Sequence, residues 1–468
     1  MNEIAARLSA DVVVVGAGPA GMAATAAALR HGATVAVLEV GNRIGGNAVR
    51  SNGYLAFVED EPEAFVADAF RAFALAAKRY GLVWDPSAVR QFAADSADTH
   101  RILAGRGVRF SRTVPRPEHS VERIHAVEEP EMFARAYADD FANPAVTTVF
   151  GVRAERLLVE GGRVVGVSAQ RLDDGTHLYA RATRGVVLAT GGYQAGHLLR
   201  QRYQPARDAQ SPYYGTSNCR GDGHVMGAAL GADLVNMTYL PPTVLAASTV
   251  VENAIAVNTA GVRFHDEAGS FDDRISALRA QDGRRAWYIL DAVTAEAQAH
   301  LIEQMPQPPL RADSLTELAA ALGIPAGALE ATAEQWNTFL ASGAQADHLG
   351  RRAVPQDRRG LRQGPFTAVP MVEGVNISCG GFRTTPRMQV IDVLGRAVAG
   401  LFAAGDTTAG LNAAAAMCGL HISGAFTQGR VAGRAVAQAK PDLADYGSVR
   451  SGSSVIAEAE AIKDLAAL

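Results

Sequence analysis

The chain has 468 residues, and 44 Lys and Arg against 48 Asp and Glu leave a formal charge of −4, a balance that excludes a nucleic-acid binder built on a basic surface. At about 150 residues per domain the length predicts about three domain equivalents, and 48% hydrophobic residues exclude disorder as the dominant state. The 47 glycines, about a tenth of the chain against a usual ~7%, follow no collagen-type period and need a local reason.

The amino terminus, MNEIAARLSADVVVV, lacks a basic region followed by a separate apolar stretch, so no secretion signal is expected. Residues 12–15 are a short β-branched run that predicts a strand buried on both faces of a parallel sheet. Gly16, Gly18 and Gly21 follow in G-x-G-x-x-G spacing, then an Ala-rich helix over 22–31 and a second strand over 33–38 ending at Glu39. In such a unit the first glycine allows the turn, the second admits a pyrophosphate to the backbone, and the third lets the helix lie close on the strand. Glu39 is placed to accept hydrogen bonds from a ribose hydroxyl and disfavours a 2′-phosphate. The spacing predicts a dinucleotide site.

Gly45, Gly46, Asn47 and Ala48, then Ser51, Asn52 and Gly53, mark two further turns suited to wrapping an extended ligand. Residues 62–80 and 87–105 read as amphipathic helices, 145–170 as strands turning at Gly161 and Gly162, and 185–188 as a buried strand that runs into Ala189, Thr190, Gly191, Gly192 and Tyr193. That junction puts bare backbone at the carboxyl edge of a sheet, where ligands of open α/β folds bind. From about 200 to 350 the apolar strands thin out and helices are predicted over 315–322 and 327–341, which reads as a separate lobe. Residues 401–404 form a last apolar strand ending in Gly405 and Asp406, before a glycine-punctuated helix over 421–437. The dinucleotide domain is therefore split in sequence. Residues 441–468 read as a polar tail with a terminal helix over 455–467, expected to be a packing or oligomer contact. No window holds about 18 uninterrupted apolar residues, so no membrane span is expected. Cys219, Cys379 and Cys418 are too few for a disulfide framework and lack CxxC spacing; a cytoplasmic protein without a metal site is the expectation.

The segments VVVVGAGPAGMAA, GGNA, ATGGY, RGDGHVMGAALGA, GVRFHDE, GPFTA, CGGFRTT, GLFAAGD and QGRVAGR, in this order, resemble the FAD-dependent oxidoreductases that include fumarate reductase and succinate dehydrogenase flavoproteins, 3-ketosteroid dehydrogenases and tricarballylate dehydrogenase. The resemblance implies an α/β fold: a Rossmann-type FAD-binding domain split over 1–205 and 352–440, with an inserted α+β substrate-capping domain at 206–351. It implies FAD contacts at Gly16, Gly18, Ala20, Gly21, Glu39, Gly46, Asn47, Ala48, Asn52, Gly53, Val152 on the adenine side, Thr190, Gly191, Asp222, Gly405, Asp406, His421 and Ile422. Members with covalent flavin carry a histidine about where Asn47 stands, so FAD is expected to bind non-covalently. The helix start at His421 and Ile422 is expected to set backbone N–H groups against the flavin pyrimidine edge and stabilise the anionic reduced flavin.

Departures from the family pattern bear on the substrate. Fumarate reductases resemble one another in a histidine three residues before the late Gly-Gly, which is Ile377 here, and in a carboxylate-clamping arginine that corresponds to Ala416. Their catalytic arginine after the RFxxE segment has no clean match, and Arg274 is the nearest candidate. The expected substrate is then not fumarate or succinate but a bulkier, less anionic molecule, with Ala413, Ala414, Ala415 and Ala416 leaving room over the flavin. Arg274, Tyr193 and His421 are the candidate catalytic residues. Tyr193, Tyr213 and Tyr214 offer phenols, as 3-ketosteroid dehydrogenases use, or are packing residues. His421 is a titratable group beside the flavin or a hydrogen-bonded helix-start histidine. Cys379 and Cys418 have a redox role or are buried and inert. Arg263 and Glu267 are expected to pair or brace the lobe junction, and Arg351, Arg352, Arg358, Arg359 and Arg362 to form a solvated connection. The implied reaction is hydride transfer between flavin N5 and a C–C or C=C bond adjacent to a carbonyl or carboxylate, as a dehydrogenase or ene-reductase. With no CxxCH haem motif or fused flavin domain, a separate electron donor or acceptor is expected. A desaturase of a bulky ketone and a non-catalytic flavin electron-transfer subunit are the alternatives.

Overall fold

A computed structural model describes residues 4–440 apart from 205–210, 214, 246–247, 304 and 356; Tyr214 and the tail at 441–468 lie outside the described residues. The strand Ile4–Val15 takes the centre of the main sheet, because its four closing valines are buried on both faces. It pairs in parallel with Val35–Glu39 on one side and His177–Leu188 on the other. Val146–Phe150 continues the sheet beyond the first neighbour and Ala397–Ala403 beyond the second, both parallel, with Gln389–Ile391 antiparallel at the edge. The hairpin Val152–Glu160 and Arg163–Arg171 joins through His177–Leu188. Register aligns Val15 with Leu38 and Leu188, and Leu188 with Ala403. The loops opening at Gly16, Ala189 and Ala404 therefore leave from one sheet edge.

The helices Pro19–Arg30 and Leu420–Ala437 pack together on one face of this sheet, with Ala24, Ala28, Ala432 and Val436 in a common core with Val12, Val14 and Phe402. They approach closely because Gly429 and Gly433 carry no side chain: a Cβ on either would stand 2.2 Å from the carbonyl oxygen of Ala20 or Ala24. A second layer holds the three-stranded sheet Tyr54–Ala56, Ile124–Val127 and Phe110–Thr113, together with the helices Pro62–Tyr80 and Pro86–Gly105. Each of these helices opens on proline, and Asp85 caps the second by accepting from the Ser87 N–H.

A further antiparallel sheet runs Ile255–Asn258, Ala286–Leu290, Phe366–Pro370, Leu310–Ala312. Leu315–Leu322 and Ala328–Ser342 pack on one side of it, and Phe271–Arg279 on the other. The architecture is α/β, as expected. Asp222–Ala228 still packs on the main sheet, since Met226 and Ala232 share its core with Val13 and Val186. Phe366–Pro370 is still a strand of the further sheet. An apolar strand does not disclose its neighbours, and those of Phe366–Pro370 lie over fifty residues away in sequence. Arg351 is not solvated: it is fully buried and donates to Glu267 and to the carbonyls of Glu252, Ala254 and Ala353. Among the described residues no helix is long and apolar enough to cross a membrane.

Candidate active site

The nucleotide edge is built on close backbone contacts. Gly16 has φ +99°, and a Cβ on Gly21 would fall 1.8 Å from the Gly16 carbonyl oxygen, so only glycine lets the first helix start directly on the central strand. Gly18 caps that helix without a side chain and Pro19 stands at its first turn, which leaves the amino-terminal dipole open towards the edge. Gly46 lies against Gly18, and Ala20 is buried beneath Gly405 and Gly429. Glu39 accepts from the N–H groups of Ala17 and Gly41, both at 2.6 Å. Burial raises its pKa against the lowering effect of those bonds.

Asn47 donates to the Tyr213 hydroxyl at 3.1 Å and accepts from the Thr216 N–H at 3.2 Å. Ala48 opens the short helix Ala48–Arg50, and Asn52 and Gly53 form the turn into Tyr54–Ala56. Thr190 and Thr407 face each other at 3.3 Å, and Thr407 donates to the Gly191 carbonyl. Asp222 begins its helix in an ion pair with Arg153, beside the buried Val152.

At the other end of the edge, Gly405 and Asp406 follow the strand Ala397–Ala403, and His421 and Ile422 lie in the first turn of Leu420–Ala437. His421 Nδ1 meets Asp406 Oδ1 at 3.1 Å. With Ser378, Cys379, Asn412 and Gln428 these residues line a cleft. Burial lowers the His421 pKa, but the Asp406 bond and the neighbouring Cys379 more than offset it, to about 10. His421 Nε2 and Ser378 Oγ are buried there without hydrogen-bond partners. These features fit FAD: a glycine cradle for a pyrophosphate, an acid at the ribose position, and orphaned polar atoms lining a cleft at the far end of the same sheet edge.

The helix Phe271–Arg279 reaches the same region from the further sheet, capped by Ser270. Arg274 is 8% exposed, its guanidinium 4.7 Å from the centre of the Phe271 ring, and it has no ion pair among the described residues. Its neighbours are His265, Tyr288 and Cys418, the last just before the flavin-end helix. Asp272 accepts from the Tyr80 hydroxyl at 2.8 Å, and the Tyr80 ring stacks on Tyr239 at 4.5 Å. The Tyr239 hydroxyl is buried without a partner, beside Tyr80 and Cys379. Burial foremost, then Tyr80 and Asp272, raise its pKa, so the phenol is neutral.

Tyr193 is fully buried, packs against His224, and donates to the Met237 carbonyl at 3.0 Å, so its phenol is committed to packing. Ala413 and Ala414 are buried against helix Pro62–Tyr80, with Asn412 holding the loop through both polar atoms of Met417. Arg263 and Glu267 do pair, in a bidentate contact completed by Arg351 and Asp347. These charges hold Glu267 down to about 2 despite complete burial. Tyr239 and His265 escape sequence reasoning. His265 stands inside the quoted GVRFHDE segment, buried with both ring nitrogens unpartnered, whereas nothing local marks Tyr239.

A family model described as "FAD binding domain" matches residues 11–422. The chain belongs to that family. It is 28% identical to the NADH:acrylate oxidoreductase of Vibrio harveyi over 90% of this chain and 50% of that protein, so it spans half the length of that relative. It is 28% identical to a probable fumarate reductase of Shewanella frigidimarina over 90% of this chain and 74% of that one. Among solved structures, the 3-ketosteroid-Δ4-(5α)-dehydrogenase of Rhodococcus jostii in complex with 4-androstene-3,17-dione superposes with a TM-score of 0.67 at 26% identity, covering 92% of this chain and 97% of that chain. The family of FAD-binding oxidoreductases, and FAD as the cofactor, are thus fixed together.

Proposed function

We propose that the protein moves a hydride between bound FAD and a C–C or C=C bond beside a carbonyl or carboxylate, with Arg274 holding the substrate oxygen and Tyr239 moving the α-proton. The observation that carries this reading is Arg274, a buried guanidinium with no ion pair among the described residues. Such a charge is expensive to leave unpaired, and a substrate oxygen accepting its N–H bonds supplies the missing partner. FAD, when bound, supplies hydride donation and acceptance at N5. In the reducing direction the Tyr239 phenol gives its proton to the α-carbon, and the phenolate left behind is reprotonated from solvent; in the oxidising direction the phenol first loses its proton to solvent, and the phenolate takes the α-proton. The Tyr80 ring stacks on Tyr239, and its hydroxyl donates to the partly exposed Asp272.

Ile377 and Ala416 place no second cation on the substrate, which favours one with a single carboxylate or ketone. The Vibrio harveyi relative, named for a monocarboxylate, and the Rhodococcus jostii neighbour, bound to a ring ketone, support that choice. The latter likeness also favours a second reading, a desaturase of a bulky ketone. Electrons then pass to or from a separate carrier, and three unpaired cysteines suit a reducing cytoplasm. The test is to reduce the purified holoenzyme with dithionite and offer acrylate, fumarate, cyclohexenone and 4-androstene-3,17-dione in turn. The reading predicts that a singly activated alkene or enone reoxidises the flavin and fumarate does not. Reoxidation by none of them, faster than by buffer, turns the assignment to an electron-transfer subunit.

A further inference from the structure

Three side chains that take no part in the cleft converge elsewhere in the second layer. Glu59 follows the strand Tyr54–Ala56, His100 lies on the helix Pro86–Gly105, and His125 on the strand Ile124–Val127. One ligand atom from each falls within 4.8 Å of the other two. We propose that Glu59, His100 and His125 form a binding site for a zinc-class divalent cation, which goes beyond the activity argued above.

The donors suit that class. Two imidazole nitrogens and one carboxylate oxygen are the set that zinc and its first-row neighbours take, whereas calcium and magnesium want oxygen alone. Zinc bonds of about 2.0–2.1 Å in a tetrahedron set adjacent donor atoms roughly 3.3 Å apart. His100 Nδ1 stands 2.7 Å from one Glu59 oxygen and His125 Nε2 stands 3.4 Å from the other. These spacings bracket the required value, so a small turn of the Glu59 side chain, 44% exposed, brings them to it. Water fills the fourth position from that open side.

The imidazoles are held in place before any ion arrives. His100 stacks on Phe57 at 4.8 Å and meets the Phe110 ring edge-on at 4.6 Å, and the two histidine rings lie 4.6 Å apart. The Val58 N–H donates to Ser96 Oγ at 3.0 Å, which fastens the turn of Glu59 to the helix of His100. Next to His100, Thr99 meets Thr427 on the flavin-end helix at 3.0 Å. A cation here ties three elements together one residue from a contact with the helix that carries His421.

The test is equilibrium dialysis of untagged, chelator-washed holoenzyme against Zn²⁺, with the metal counted by plasma emission. The same measurement is made on Glu59→Ala and on the His100→Ala, His125→Ala double variant, with bound FAD and circular dichroism verifying their folds. Wild type is expected to hold one equivalent and to gain thermal stability with zinc, and the double variant to do neither. Outer-shell changes alone cost zinc sites about 10–100-fold in affinity, so Glu59→Ala is expected to weaken binding at least tenfold. If the double variant does not fold, Glu59→Ala, an exposed change, decides. Wild type holding no more zinc than the folded variants overturns the proposal.

Discussion

Arg274 and His421 carry opposite electrostatic situations, and each yields its own expectation. Arg274 is a cation waiting for an anion, so Arg274→Met removes a substrate contact and leaves the flavin in place. Loss of one preorganised donor of this kind costs about 10²–10³ in rate, to be read as kcat/KM with FAD content unchanged. His421 already has its anion in Asp406. Its folded pKa is raised to about 10, so the stabilisation is fully present below the unfolded value of 6.5 and is lost progressively as pH rises from there through about 10. The imidazolium therefore persists across neutral pH, and the flavin midpoint potential should show no inflection near 6.5. His421→Ala removes a charge of roughly 1–2 kcal/mol, which lowers the two-electron potential by about 20–40 mV.

The two helices on the main sheet owe their spacing to Gly429 and Gly433. A Cβ at Gly433 would stand 2.2 Å from the backbone carbonyl of Ala24, where nothing flexible can yield. Gly433→Ala is expected to destabilise the protein by about 1–3 kcal/mol, seen in denaturant unfolding, and to loosen FAD with it because the same helix carries His421. This part of the molecule was legible in the sequence, since chain-local spacing encodes it: glycine motifs, the acid at Glu39, and helices at 62–80 and 315–322 fall where the pattern placed them. What stayed hidden depends on residues meeting across the fold. His421 finds Asp406 fifteen residues away within one motif region, but Tyr239 meets Tyr80 from a distant segment, and Glu59, His100 and His125 share no spacing. The packing of Tyr193 on His224 was not legible, because a glycine turn at a sheet edge announces proximity to a ligand without saying which way the next side chain faces.

Across the whole molecule, acids on the segments around the further sheet grip bases and phenols of the second layer. Glu252 accepts from Tyr54 at 2.7 Å, Arg112 at 2.9 Å and Arg116 at 2.6 Å, while Asp272 holds Tyr80 and Arg79. Burial pushes the Glu252 pKa up, but the arginines and Tyr54 bring it below 4.5. This contact is thus whole above that value and weakens as pH falls through the lower folded value. Glu252→Gln strands Arg116 in a buried position, at a cost of roughly 3 kcal/mol, and limited proteolysis should then cut between the layers faster than in wild type.

At the scale of the reaction, the proposal to be tested is that Arg274 and Tyr239 serve a singly activated alkene or enone. Stopped-flow reoxidation of the reduced holoenzyme, followed at the flavin band near ~450 nm, tests it most directly. The account predicts that acrylate or cyclohexenone reoxidises wild type faster than buffer does, and that Arg274→Met with full FAD content is slower by about 100-fold. It is contradicted if fumarate is the fastest oxidant, or if Arg274→Met reacts as fast as wild type.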